Sequence, residues 1–398
     1  MKALQGIRII DLTHMLAGPY AGMMLADLGC ETIKVEPPGV GEGTRKLQAN
    51  DPQNSIHGMG SYFLTLNRNK QSVTINLKSD EGLKLFYELV KVSDVVLNNF
   101  SAGVPEKLKI DYARLSAINP RIITCSISGF GETGPGRDWT AFDMVAQAMG
   151  GGMSITGAMN GEPLRAGIPI ADLSGGMMGV IGILSALMAR ERTGRGQHVD
   201  ISMLDGQISL LNYMATMWFL NGEIPGPIGN THFVHVPYNT FPTNDGYLII
   251  AVITDEAWRG VMAVMDLPEL NTAENVGQPG RWKNRELINR RLADQTRTHS
   301  KAHWVEKLRA VRVPCAPVND FAEALTNVQV LARNMIVETQ HPQGDSVKMP
   351  GNPIKLSETH EDTFAPPPLL GQHNDEVLGG LLGKTKEEIE RLRAGGVI

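Results

Sequence analysis

The sequence predicts an α/β protein: a large domain around a parallel sheet, with a smaller α+β domain further along the chain. Three observations predict it. Short apolar runs alternate with helical patterns over the first third, which is the signature of βαβ units. Near residue 222 the texture changes, through the Gly/Pro-rich connection "NGEIPGPIGNTH". Between the two lies "LRAGIPIADLSGGMMGVIGI", in which Asp172 precedes an uncharged run from Leu173 to Ala189.

In chain order, "IRIIDL" reads as a buried strand, "AGMMLADLG" as a helix ending at Gly29, and "ETIKVE" and "SVTINL" as further strands. "SDEGLKLFYELVKVSD" has helical spacing, with Leu85, Phe86, Leu89 and Val90 as its inward stripe and Ser79 or Asp80 as its cap. "VVLNNF" and "RIITCSIS" complete the strand series. Parallel sheets bind ligands beyond the carboxyl ends of their strands, which directs attention to Glu36, Lys78, Asn99, Phe100 and Gly129. We place the large domain at 1–221, the small one at 222–330 with the strand "GYLIIAVI" and Arg/Lys-rich helices, and a C-terminal segment at 331–398. That last segment holds the stiff "APPPLLGQH" and a final helix closed by glycine.

Composition narrows the function. The chain has 398 residues, 42% hydrophobic and 20% charged, with a net charge of −5, an ordinary globular balance that argues against broad nucleic-acid binding. Three scattered cysteines, Cys30, Cys125 and Cys315, have no metal-ligand spacing and suit a reducing, cytoplasmic setting. Asp11 interrupts the apolar N-terminus, so no signal peptide is expected. The run 173–189 falls short of the roughly 18 apolar residues of a membrane span and is glycine-rich. A buried helix is therefore expected, with no membrane partner. Its glycines allow either close approach of a ligand or partner chain, or tight helix packing.

"GFGETG" at 129–134 matches G-x-G-x-x-G after a strand, but Pro135 and Gly136 follow at once, so no helix opens there. A glycine turn beside a ligand is the better reading than a nicotinamide loop. Arg68, Lys70 and Lys78 surround one strand, as a solvated charged edge or as a phosphate anchor. No histidine pair suggests a metal. Asp172 reads as a helix cap or as a nucleophile, and spacing does not choose.

Many stretches also carry a resemblance: "DLTHMLAGPYAGMMLADLGCETIKVEPPGVGEGTR", "LNRNKQSVTINLKSDEG", "ISGFGETGP", "FDMVAQAMGG", "ADLSGG", "TGRGQHVDISMLDG", "VPYNTFPTNDG" and "PPPLLGQH". In this order they resemble the class III CoA-transferases, the family of the formyl-CoA:oxalate, carnitine and succinyl-CoA:glutarate transferases and of the related 2-methylacyl-CoA racemases. The look is closest to the succinyl-CoA-using dicarboxylate enzymes. The resemblance implies a Rossmann-like large domain built from both termini, a small domain, and an interlocked homodimer. It implies acyl-CoA as substrate, without metal or nicotinamide. It puts the nucleophile on Asp172, the nucleotide contacts on Ile75 to Lys78, Asn99, Phe100, Ser101 and Lys107, and the thioester end beside Phe142 and Asp143. Pro37 stands where a relative carries an adenine-contacting arginine, and "VITDEAW" at 252–258 lacks the glycines of the oxalate enzymes' lid.

A racemase would need a second proton-moving group at the position of Phe142, and a non-catalytic CoA-binding protein would not need Asp172. The acceptor expected is a C4–C6 dicarboxylic acid, with succinyl-CoA as donor. Arg165, seven positions before Asp172, is the candidate anchor for its distal carboxylate, and Arg45 and Arg68 are the next candidates.

Overall fold

The computed structural model describes residues 2–359 and 363–398. It divides into two units, one of residues 1–153, 165–223 and 329–398, the other of residues 154–164 and 224–328. The segment 154–164, expected in the large domain, thus groups with the smaller unit.

The larger unit is built on six strands: β1 (Arg8–Asp11), β2 (Glu31–Glu36), β3 (Lys70–Thr74), β4 (Val95–Asn98), β5 (Ile123–Ser128) and β6 (His198–Ser202). They pair in the order β3-β2-β1-β4-β5-β6, and every pair is parallel. The order reverses direction between β1 and β4, which opens a crevice between the loops that follow them. Strand residues alternate between two buried faces. Ile9, Val95 and Leu97 pack on one side with Ala21, Ile127 and Ile183. Ile10 and Val96 pack on the other with Phe86, Leu89 and Val90.

The helices of the larger unit include α1 (Ala17–Asp27), α2 (Asp80–Lys91), α3 (Asp143–Met149), α4 (Ile170–Thr193), α5 (Met203–Leu211) and α6 (Tyr213–Asn221), with α7 (Lys386–Ala394) at the C-terminus. Ser79 caps α2 by accepting from Gly82 N. The 24-residue α4 is long and apolar enough to cross a membrane by length and composition, and half of its apolar window is buried inside this fold. A Cβ at Gly176 would stand 2.7 Å from Ala17 O, and one at Gly179 2.7 Å from Ile127 Cδ1. Of the two readings of these glycines, close packing of α4 on α1 and β5 is the one the structure supports.

The C-terminal segment lies along the outer edge of the sheet. Asn374 Oδ1 accepts from Thr74 N at 2.8 Å, His373 Nδ1 accepts from Ser72 N at 3.1 Å, and Ser72 O accepts from His373 N. The exposed edge of β3 is thereby satisfied and shielded from further pairing. Arg68 and Lys70, expected on a solvated edge or at a phosphate, are buried instead. Arg68 pairs with Asp27 at 2.6 Å and Lys70 with Asp11 at 2.8 Å. Burial alone would raise the Asp11 pKa, but Lys70 and Lys34 hold it below the usual range.

The smaller unit carries an antiparallel sheet of three strands, Tyr238–Thr243, Gly246–Ala251 and Cys315–Pro317, around Phe241, Leu248, Trp258 and Trp304.

Candidate active site

The loops after β1 and β4 are clamped together at the crevice. Asn99 Oδ1 accepts from His14 N at 2.9 Å, and Asn99 Nδ2 donates to His14 O at 2.7 Å. Two cavities flank this clamp, and His14 and Phe100 line both. The first, about 810 Å3, contains Asp172 together with Asn99, Ser101, Phe142, Asp143 and Arg165. The second, about 560 Å3, is walled by Leu12, Val35, Pro37, Ile75, Leu77 and Leu108, with Glu36 and Lys78 also on its lining. Volumes of this size suit small-molecule ligands.

Asp172 is half-buried and sits in the first turn of α4, but it does not cap the helix. Asp143, at the start of α3, does that from a distance in sequence. Its Oδ1 accepts from Ala171 N at 2.9 Å and from Asp172 N at 3.3 Å. Its Oδ2 accepts from Gln147 Nε2 at 2.6 Å. Leu173 N donates to Pro169 O. The amides at the start of α4, one possible source of oxyanion donors, are therefore engaged. Asp143 lines the cavity, yet one of its oxygens is committed to the α4 amides and the other to Gln147 of its own helix, so it acts as a positioning group.

Burial, and then the charge of Asp143, push the Asp172 pKa up to about 6. The positive end of α4 favours the carboxylate and opposes that shift. A carboxylate with a raised pKa and, among the described residues, no hydrogen-bonded cation is suited to nucleophilic attack. The N-terminus of α1 also opens on this cavity. Among the described residues no side chain caps it, Leu16 and Ala17 line the same cavity, and burial lowers the pKa of His14 nearby.

The predicted site residues fall into three groups. Asp172, Asn99, Phe100, Ser101, Phe142, Asp143 and Arg165 come together around the first cavity, and Ile75 and Lys78 around the second. Lys107 is exposed on the short helix Val104–Lys107 and lines neither cavity. Arg45 does not serve as an anchor. Its guanidinium is forked onto Glu36 at 2.6 and 2.8 Å, donates to Pro368 O, and lies over the Phe63 ring. Arg68 is likewise excluded by its buried pair with Asp27. Sequence reasoning missed Arg137, Tyr62 and Trp139, which also line the first cavity. Arg137 and Trp139 follow the glycine turn after β5, where strand-end reasoning would have found them had it continued past Gly134.

Comparison of the whole chain with known proteins gives its family. Residues 4–374 match the family model of CoA-transferase family III. The chain is 35% identical over 399 residues to the succinyl-CoA:glutarate CoA-transferase of Mus musculus, covering 100% of this chain and 91% of that one. It is 39% identical over 366 residues to the acetyl-CoA:oxalate CoA-transferase of Acetobacter aceti, covering 91% and 92%. The crystal structure of a CAIB/BAIF family protein from Brucella suis superposes with a TM-score of 0.86 at 34% identity, over 96% of this chain and 100% of that one. The chain belongs to CoA-transferase family III. It is an enzyme of the class that moves coenzyme A between an acyl-CoA and a carboxylic acid.

Proposed function

We propose that this enzyme transfers coenzyme A from succinyl-CoA to a C4–C6 dicarboxylic acid, with Asp172 as the nucleophile. The observation that carries the reading is a half-buried carboxylate with its pKa near 6, at the start of α4 in a cavity large enough for an acyl thioester. An Asp172 oxygen attacks the thioester carbonyl, the C–S bond breaks, and CoA leaves as thiolate beside a mixed anhydride. The thiolate attacks the aspartyl carbonyl, which frees the donor acid and leaves an aspartyl-CoA thioester. The acceptor carboxylate then runs the same two steps in reverse. Uncapped amides at the start of α1 stabilise the oxyanions, since those of α4 are held by Asp143. The second cavity, with Ile75 and Lys78, takes the nucleotide end of CoA, and Asn99, Phe100 and Ser101 the arm between.

The relatives include both glutarate and oxalate enzymes, so overall identity does not choose the acid. The glycine-free stretch 252–258 and the exposed Arg165 on the cavity favour a longer dicarboxylate. A charge-assisted bond from Arg165 to the distal carboxylate is worth about 1.5–3 kcal/mol, roughly a tenfold to hundredfold preference over a monocarboxylate. We further propose a homodimer in a reducing, cytoplasmic setting, consistent with buried thiols whose pKa values burial raises.

The test compares glutarate and itaconate with butyrate and oxalate as acceptors of CoA from succinyl-CoA, in wild type and Arg165→Ala. Dicarboxylates of four to six carbons are expected to win, with the advantage reduced in the variant. Equal use of butyrate contradicts the acceptor class.

A further inference from the structure

Arg137 is a cation in the Asp172 cavity for which the described residues supply no strong partner. Among the described residues its ionic contact is Nε to Asp138 Oδ1 at 3.7 Å, and Asp138 is 82% exposed. Such a loose pair between exposed neighbours does little to hold a guanidinium. Arg45 and Arg68, by contrast, are forked onto buried carboxylates. Glu132, another acid on which the Arg137 charge acts, is already engaged, since its Oε2 meets His198 Nε2 at 2.9 Å.

The segment that carries Arg137 is held firmly. His198 Nδ1 meets Thr124 Oγ1 at 2.7 Å, Glu132 N donates to both Asp200 oxygens, and Gly131 N donates to Ser128 Oγ. Gly131 and Gly134 have φ of +80°, which glycine adopts without strain. Beyond the turn, Trp139 packs edge-on against Phe130 at 5.4 Å. The "GFGETG" turn thus works as a fixed arm. It sets Arg137 on the cavity wall facing Gly103, where a Cβ would stand 3.8 Å from Nη2.

We propose that Arg137 is an anion-recognition residue of this cavity, binding an oxyanion of the substrates, either a phosphate of the CoA thioester or the distal carboxylate of the acid. This rests on the transferase reading above. A planar guanidinium with open donors is matched to either group through two parallel hydrogen bonds. Its position beside the loop that joins Phe100 to Gly103 favours the CoA phosphates, because Phe100 also lines the cavity assigned to the nucleotide.

The test measures KM separately for succinyl-CoA, for the succinyl thioester of pantetheine (which lacks phosphates), for glutarate and for butyrate. Wild type, Arg137→Gln and Arg137→Lys are compared, with Lys91→Gln as a control for loss of one surface charge. A rise of about tenfold or more in KM for one anionic substrate is expected in Arg137→Gln, with Arg137→Lys between. If the phosphate is the target, the rise appears with succinyl-CoA and not with the pantetheine thioester. If the carboxylate is the target, it appears with glutarate and not with butyrate. KM values for both CoA and acid within twofold of wild type overturn the proposal, as does a fall in kcat alone. Absence of any transfer by wild type would count against the proposed function instead.

Discussion

Two carboxylates divide the labour at the start of α4. Asp143 caps the helix, and the Asp172 side chain, in its first turn, is left free of that task. The sequence showed Asp172 beside a helical run, but the cap comes from a residue 29 positions earlier, and no local pattern reveals such a partner. The same limit hid the burial of Arg68 and Lys70, whose partners Asp27 and Asp11 lie on α1 and β1. Because burial and Asp143 together raise the Asp172 pKa to about 6, transfer should lose about tenfold in kcat/KM per pH unit below that value. Asp143→Asn keeps an oxygen to accept from the α4 amides and removes the repelling charge. The Asp172 carboxylate becomes easier to form, so the acid limb should move to lower pH. A limb that stays put or moves upward in pH–rate profiles would show that Asp143 has no electrostatic effect on Asp172. Asp143→Ala should in addition destabilise the fold by about 0.5–2 kcal/mol through loss of the cap.

At the scale of elements the periodic patterns were dependable. Leu85, Phe86, Leu89 and Val90, read as one stripe, are all buried on the face that α2 turns to the sheet. Residues at strand ends also gathered as expected, because parallel strands all deliver their carboxyl ends to one side. The glycines of α4 were ambiguous, since small residues serve ligands and helix packing alike. Gly176→Ala tests the packing role. Its Cβ would meet Ala17 O at 2.7 Å and Tyr20 Cδ1 at 3.0 Å, an overpacking that costs about 1–3 kcal/mol and exceeds the helix-propensity gain of about 1 kcal/mol. Gly206→Ala on α5 meets Ser174 Oγ at an ordinary 3.6 Å and should be neutral or stabilising. Thermal unfolding of both variants checks the pair, and equal melting temperatures would contradict the packing account.

On the whole molecule, unusually large apolar groups face solvent. Not one residue of α6 is buried, although it reads "YMATMWFLN", and Phe219 and Leu220 are 76% and 82% exposed. Met177, Ile181 and Met188 form a further exposed row along α4. Such surface is seldom left uncovered in a soluble monomer, which supports the proposed pairing of two chains. Composition alone could not suggest it, because exposure depends on which helices the fold leaves outside. Sedimentation at nanomolar concentration should give about twice the 43.3 kDa chain mass, and Phe219→Asp with Leu220→Asp should weaken the dimer. A wild-type monomer at that concentration would contradict the pairing.

The proposed transfer requires that the Asp172 side chain itself becomes acylated. Incubation of the enzyme with succinyl-CoA and hydroxylamine, followed by peptide mass spectrometry, tests it most directly, since hydroxylamine captures both an aspartyl anhydride and an aspartyl thioester. A hydroxamate is expected on the peptide containing Asp172, dependent on succinyl-CoA and absent from Asp172→Asn, together with loss of transfer in that variant. A wild-type enzyme that transfers CoA while its Asp172 peptide stays unmodified, or an Asp172→Asn variant with near wild-type turnover, would contradict it.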